Sequence, residues 1–315
     1  FQELVTLLPK VSSFKEVTTS KLGKGTIITG HGYKEMLSKW RENEETFVSD
    51  LGGQLIRRSH DDGHTYFLAM LSNNPVDQWV TLGTHAESAL FFDPMSGSKG
   101  LAATRENNGR TEVYLQLSPG ESIILKTFGN KQVEAERWPY YKRTGNEAPL
   151  DSGWTMRFKE SEPEVTDSFT LDSLGSWTHL DNETLTKNMG TAVYSVSFQF
   201  KKRPDAEYLL SLGDVRESAR VKVNGQEAGT LFAVPFQKMI GALLHDGTNT
   251  LEIEVTNLPA NRIADYDRRG VEWRIFHEIN IVNIAYQPAK YDTWAPVDSG
   301  LLGPVTIQEL DVVEP

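Results

Sequence analysis

From about residue 54 onward, apolar and polar positions alternate with a period of two. In TLEIEVTN (250–257) Leu251, Ile253 and Val255 alternate with Glu252 and Glu254, which predicts a strand with one buried and one wet face. QLIRRSHDDGHTYFLAMLS (54–72) reads as strand, Asp-Asp-Gly turn, strand. QWVTLG, SALFFDP, RTEVYLQLSPG and SIILKTF follow at short spacing, with turn residues between them. A second series contains SGWTMRF (152–158), AVYSVSFQF (192–200), EYLLSLG (207–213), ARVKVNG (219–225) and GPVTIQEL (303–310). This rhythm predicts a mainly β chain of two β-sandwich domains.

Four segments depart from it. Within residues 1–50, LGKGTIITG (22–30) reads as a short strand, and YKEMLSKWREN (33–43) places Met36, Leu37 and Trp40 at roughly helical spacing. Strand followed by helix predicts a short α/β remnant of an upstream domain. Residues 129–150 have no clean period and read as a linker. QKMIGALLHDG (237–247) is the helix the pattern predicts, ended by Gly247. Residues 258–298, rich in Asp, Arg and aromatics, are expected to be a long functional loop. The predicted organisation is therefore 1–50 remnant, 51–128 β-sandwich, 129–150 linker and 151–315 second sandwich.

Composition narrows the partners. The 315 residues carry 32 Lys+Arg against 43 Asp+Glu, a formal charge of -11. That balance argues against nucleic acid as partner, and no stretch approaches the ~20 apolar residues of a membrane-spanning helix. Cysteine is absent, which removes disulfides, thiolate metal sites and cysteine nucleophiles. The first residue is Phe1 rather than Met, so a removed leader or an excised upstream part is expected.

The order from residue 220 is informative. RVKVNGQEAGTLFAVPFQ (220–237) contains an Asn224-Gly225 hairpin turn, and GTNTLEIEV (247–255) follows it. This resembles the galactose-binding-like jelly roll of the sugar-binding domain in family 2 glycoside hydrolases. GKGTIITG, LIRRSHDDGHTYFLAMLSNNPV (55–76), FFDPMSG (91–97), LSPGESIILK (117–126), VTNLPANR (255–262) and DSGLLGPVTI (298–307) occur in one order. Together they resemble the C-terminal half of glycoside hydrolase family 106, the bacterial α-L-rhamnosidases and their relatives. The resemblance implies that the catalytic carboxylates and a calcium ion belong to an N-terminal (β/α)₈ barrel that this chain lacks. It also implies a periplasmic, cell-surface or secreted setting and a plant or microbial glycan as ligand. No catalytic residue is assigned and no cofactor is expected. A structural calcium ion at an unassigned site would fit the resemblance.

Candidate carbohydrate contacts concentrate in NRIADYDRRGVEWRIFHE (261–278) and YQPAKYDTWAP (286–296). They are Arg262, Asp265, Tyr266, Asp267, Arg268, Glu272, Trp273, Arg274, Tyr291 and Trp294, with Glu278 and Tyr286 beside them. Aromatic faces stack on sugar C–H faces, and flanking ions bond the hydroxyls. The bland reading is a charged loop laced by ion pairs, with Trp273 and Phe276 as anchors and Tyr291 and Trp294 as a lid. Trp154 and Trp177 are expected in the core. DYDRRG (265–270) superficially resembles a calcium loop, but Arg269 and Phe276 stand where an EF-hand needs oxygen ligands. His60 and His64 flank an Asp-Asp-Gly turn, which predicts a hairpin tip rather than a metal pair.

Three functions remain open at this level. The first is a non-catalytic accessory region of a glycoside hydrolase, which predicts an exposed apolar patch near residues 1–50. The second is a free-standing carbohydrate-binding module, which predicts an exposed aromatic platform without that patch. The third is a small complete hydrolase or lyase acting within 258–298, which predicts paired carboxylates with a raised pKa.

Overall fold

The computed structural model describes residues 10–14, 17–32, 36, 44–275 and 289–315. The chain divides into two compact units, Phe1–Trp138 and Pro139–Pro315. Both are built from antiparallel β-sheets.

In the first unit, Lys10–Phe14, Val17–Leu22 and Gly25–Thr29 form a three-stranded meander. The strand expected at 22–30 is its third member. The helix expected at 33–43 lies, apart from Met36, outside the described residues. A five-stranded sheet has the order Gln54–His60, Gly63–Ala69, Ser122–Phe128, Ser88–Phe92, Lys99–Leu101. A three-stranded sheet has the order Val76–Thr81, Arg110–Leu117, Thr104–Asn107. Alternation decides what each sheet buries. Tyr66, Leu68, Ile123, Leu125 and Phe91 point inward from the first, and Val76, Val80, Val113, Leu115 and Leu117 from the second. His60 and His64 sit at the strand ends of the expected hairpin, whose turn is Asp61-Asp62.

The second unit is a sandwich of two larger sheets. The six-stranded sheet has the order Ser168–Leu171, Trp154–Glu162, Met189–Phe200, Gly247–Thr256, Ser218–Val223, Gln226–Leu231. The four-stranded sheet has the order Tyr140–Pro149, Thr306–Val313, Ala206–Ser211, Gln237–Met239. Leu251, Ile253 and Val255 meet Trp154, Tyr194, Leu210 and Ile307 in one continuous core. Each such side chain contributes about 1.5–3 kcal/mol by leaving water. Trp154 and Trp177 are both core, as their strand-side positions predicted.

The Asn-Gly hairpin is present as expected. Asn224 (φ 53°) and Gly225 (φ 75°) both occupy the left-handed region that a two-residue primed turn requires. The Asn224 amide also accepts from Thr250 N at 2.9 Å and donates to Leu243 O at 2.9 Å and to Asn249 Oδ1 at 2.8 Å. Asn249, fully buried, donates to His245 O at 2.7 Å and accepts from His245 N at 3.1 Å. The two asparagines of VNG and GTNTL therefore tie the hairpin to the entry of the central strand.

Three expectations are corrected. The helix predicted at 237–247 is an edge strand, Gln237–Met239, followed by a 3₁₀ turn, Gly241–Leu243. Ile240 and Leu244 are both buried, and their spacing of four imitated a helical face. The expected linker 129–150 contains the ten-residue strand Tyr140–Pro149, which pairs with Thr306–Val313. Its polar composition reflects a sheet edge. The expected loop 258–298 begins with a true helix, Ala260–Arg269.

Candidate functional site

The helix Ala260–Arg269 follows directly from the central strand Gly247–Thr256. Pro259 precedes its first turn, Arg268 and Arg269 sit in its last turn, and Gly270 (φ 67°) closes it. Gly270 N donates to Asp267 O at 3.1 Å and Val271 N to Tyr266 O at 2.9 Å, satisfying carbonyls at the helix end. What the helix buries is polar: Asn261, Arg262 and Asp265, with Ala264. Asn261 donates to Val297 O at 2.9 Å and accepts from Val297 N at 2.8 Å, so it holds the returning chain as a strand neighbour would. Asn257 does similar work, accepting from Gly190 N at 3.0 Å and donating to Asn188 O and Ser299 Oγ, each at 3.1 Å.

The candidate residues fall into two groups. The inner group is an ion network. Arg262 donates to Asp265 at 2.8 Å and to Glu162 at 2.9 Å, and its guanidinium lies 4.4 Å from the centre of the Tyr266 ring. The Tyr266 hydroxyl also donates to Glu162. Glu162, from the strand Trp154–Glu162, is the member that sequence reasoning missed. Nothing local marks a partner one hundred residues upstream. The Tyr266 hydroxyl first, and Arg262 second, hold its carboxyl below the usual range. Asp265 thus serves a helix-borne ion pair rather than a calcium loop.

The outer group is a shelf. Asp267 accepts from the Trp273 indole N–H at 2.7 Å and from Tyr291 N at 2.8 Å. These donors, the indole foremost, hold its carboxyl low. Arg268 donates from Nε to Asp292 O at 2.9 Å and from Nη2 to Trp294 O. Arg274 donates to Ala289 O and lies 4.8 Å from the Trp273 ring centre. The Tyr291 ring is 6.3 Å from Trp273 and 4.6 Å from Trp294, tilted against both. Trp294 is 47% exposed, while Trp273 and Tyr291 are half-buried. Glu272 is exposed. Phe276, Glu278 and Tyr286 lie outside the described residues.

The shelf can stack against a sugar and bond its hydroxyls. The pKa of its carboxylate Asp267 is shifted down, chiefly by the indole N–H it accepts, which is the direction opposite to what an acid catalyst needs. Of the described carboxylates, burial raises the pKa of Glu121, which accepts from Ser118 N at 2.6 Å within a turn of the first unit. No group of three or more His, Cys, Asp or Glu suited to a metal ion occurs among the described residues. No described helix is long and apolar enough to cross a membrane.

A second surface feature belongs to the first unit. Register places Ile56, Phe67, Ile124 and Phe92 in one row across four strands of the five-stranded sheet. The row faces away from the buried layer, with Ile56 70% and Phe67 41% exposed.

Comparison with known proteins finds these similarities. The chain is 28% identical over 257 residues to a "Putative beta-glucuronidase" of Formosa agariphila, covering 73% of this chain and 21% of that protein. Its fold is similar to that of a rhamnosidase from Novosphingobium sp. PP1Y, with a TM-score of 0.64, 23% identity, and coverage of 92% of this chain and 27% of that one. A β-glucuronidase from Bifidobacterium dentium overlaps 54% of this chain and 31% of its own, with a TM-score of 0.38 and 20% identity. The chain thus spans about a fifth to a quarter of the length of the first two proteins. No protein-family model matches it. Its relatives are glycoside hydrolases, and its own architecture is that of β-sandwich units.

Proposed function

We propose that this chain is a non-catalytic β-sandwich region of a rhamnosidase-like glycoside hydrolase, which supports the catalytic domain and holds glycan on the Trp273–Tyr291–Trp294 shelf. The observation that carries the reading is the construction of the shelf. Arg268, Arg274 and Asp267 use their hydrogen bonds to fix the Trp273 indole and the backbone at Ala289, Tyr291, Asp292 and Trp294, leaving the Trp294 ring half in solvent. Preorganised aromatics bind at low entropic cost. The row Ile56–Phe67–Ile124–Phe92, exposed at Ile56 and Phe67 and half-buried at the other two, supports the accessory role as a contact surface, although it lies outside residues 1–50, where the patch was expected. Family 106 is the finer assignment, with the second unit a galactose-binding-like jelly roll. The setting that fits is a bacterial periplasm or cell surface where polysaccharide is degraded.

The test is calorimetry against rhamnose-rich pectic oligosaccharides, with Trp294→Ala alongside, and a hydrolysis assay on the same ligands. Saturable binding that Trp294→Ala weakens, with no product released, is expected. Product formation by this chain alone would favour the hydrolase reading. A free-standing carbohydrate-binding module would bind the same ligands, and adding this chain to a separately made rhamnosidase-type catalytic domain would then give no association, with or without substitution of the Ile56–Phe67 row.

A further inference from the structure

The outer face of the three-stranded sheet in the first unit carries a second aromatic pair. Trp79 and Tyr114 are direct cross-strand partners, with ring centres 5.4 Å apart at 77°. Both are half-buried on the face opposite the core positions Val80, Val113 and Leu115. Polar side chains bracket them in register. On one side Asp77 opposes Gln116, and on the other Thr81 opposes Glu112, which in turn opposes Arg105. Successive same-face positions along a strand are about 7 Å apart, so rings and polar groups fall within the span of a short oligosaccharide.

The polar groups are held in place. Asp77 Oδ1 accepts from the Tyr114 hydroxyl and from Gln116 Nε2, both at 2.9 Å, and Oδ2 has no hydrogen-bond partner among the described residues. Glu112 accepts from Arg105 Nε at 2.6 Å and from Asn107 Nδ2 at 2.9 Å. That pair fixes the Arg105 guanidinium 4.3 Å from the Trp79 ring centre, with the arginine side chain 47% exposed. The arrangement offers an aromatic corner, one Trp79 face being covered by Arg105, beside an oriented acceptor, Asp77, and an oriented donor, Arg105.

We propose that this face is a second glycan-binding site, which takes a neutral pyranose whose C–H face rests on the Trp79–Tyr114 corner and whose hydroxyls bond Asp77 and Arg105. The charges favour this occupant. Arg105 and Glu112 neutralise each other, and Asp77 remains as an acceptor, so the face repels a polyanion and suits a ring rich in hydroxyl donors. The inference rests on the reading of this chain as part of a glycan-handling protein, and uses residues remote in sequence from the shelf.

A cross-strand Trp–Tyr pair also stabilises a sheet on its own, and the experiment separates the two roles. Neutral rhamno-, gluco- and galacto-oligosaccharides are titrated into the wild-type chain and into Trp294→Ala, Trp79→Ala and Asp77→Ala variants. Indole N–H resonances are followed by NMR and affinity by calorimetry. Expected is a saturable shift of the Trp79 indole that persists in Trp294→Ala, and a loss of at least tenfold in affinity at this site in Asp77→Ala with Tm unchanged. A response at Trp294 without one at Trp79 overturns this inference and leaves the shelf standing. A response at Trp79 alone does the reverse. If Trp79→Ala lowers only Tm and Asp77→Ala changes nothing, the pair is structural and the proposal fails.

Discussion

Replacing Asp267 with alanine deletes one side chain on which two distant parts of the shelf depend. The carboxylate accepts the Trp273 indole N–H at 2.7 Å and the Tyr291 backbone N–H at 2.8 Å. A hydrogen bond to a charged group contributes about 1.5–3 kcal/mol. Because both donors are only partly buried, water can replace the lost acceptor, which places the effect toward the lower end for each. One such bond at about 1.5–2 kcal/mol corresponds to roughly a ten- to thirtyfold change in a local opening equilibrium. The assay is hydrogen exchange at the tryptophan indoles. Trp273 should exchange roughly ten- to thirtyfold faster in Asp267→Ala. Trp154, fully buried with its indole donating to Leu150 O at 2.7 Å, supplies the internal control and should not change. Glycan affinity should fall in parallel, since Tyr291 loses its anchor. An unchanged Trp273 rate would refute the assignment of Asp267 as the post of the shelf. Equal acceleration at Trp154 would show a global loss of stability instead.

Acidification should act on the same post: the folded pKa of Asp267 lies below its unfolded value, so its contribution is present above about pH 4 and is lost as pH falls through the depressed value. Glycan binding at the shelf should therefore persist down to the pH at which a free aspartate begins to protonate, and loss of binding already at pH 5 would contradict the geometry. Ile253→Ala in the second core should cost about 2–5 kcal/mol in urea unfolding, with a cost under about 1 kcal/mol arguing against the core assignment. Asn224→Ala removes the bonds to Thr250, Leu243 and Asn249 and should lower stability by about 1–3 kcal/mol, read as a drop in the urea midpoint without change of slope. Ile56→Lys with Phe67→Lys should reduce binding of a hydrophobic dye while leaving Tm nearly unchanged, because both side chains already face solvent.

The strands and their order were legible because a strand declares its buried face locally. Leu251, Ile253 and Val255 alternate with Glu252 and Glu254 whatever the partner strand is, and Asn224-Gly225 specifies its own turn. The aromatic composition of 273–294 was equally open to reading, as was the core role of Trp154 and Trp177. Other features needed the folded chain. The helix Ala260–Arg269 has no apolar stripe, since its buried face is Asn261, Arg262 and Asp265, and polar burial is stable only where partners such as Glu162 and Val297 converge. Its start at Pro259 and stop at Gly270 were the signals available in the sequence. Tyr140–Pro149 is a strand only because Thr306–Val313 offers an open edge. The sequence by itself determined which residues would seek the core. Tertiary structure alone decided which polar groups would meet, because a hydrogen-bond partner one hundred residues away leaves no periodic trace.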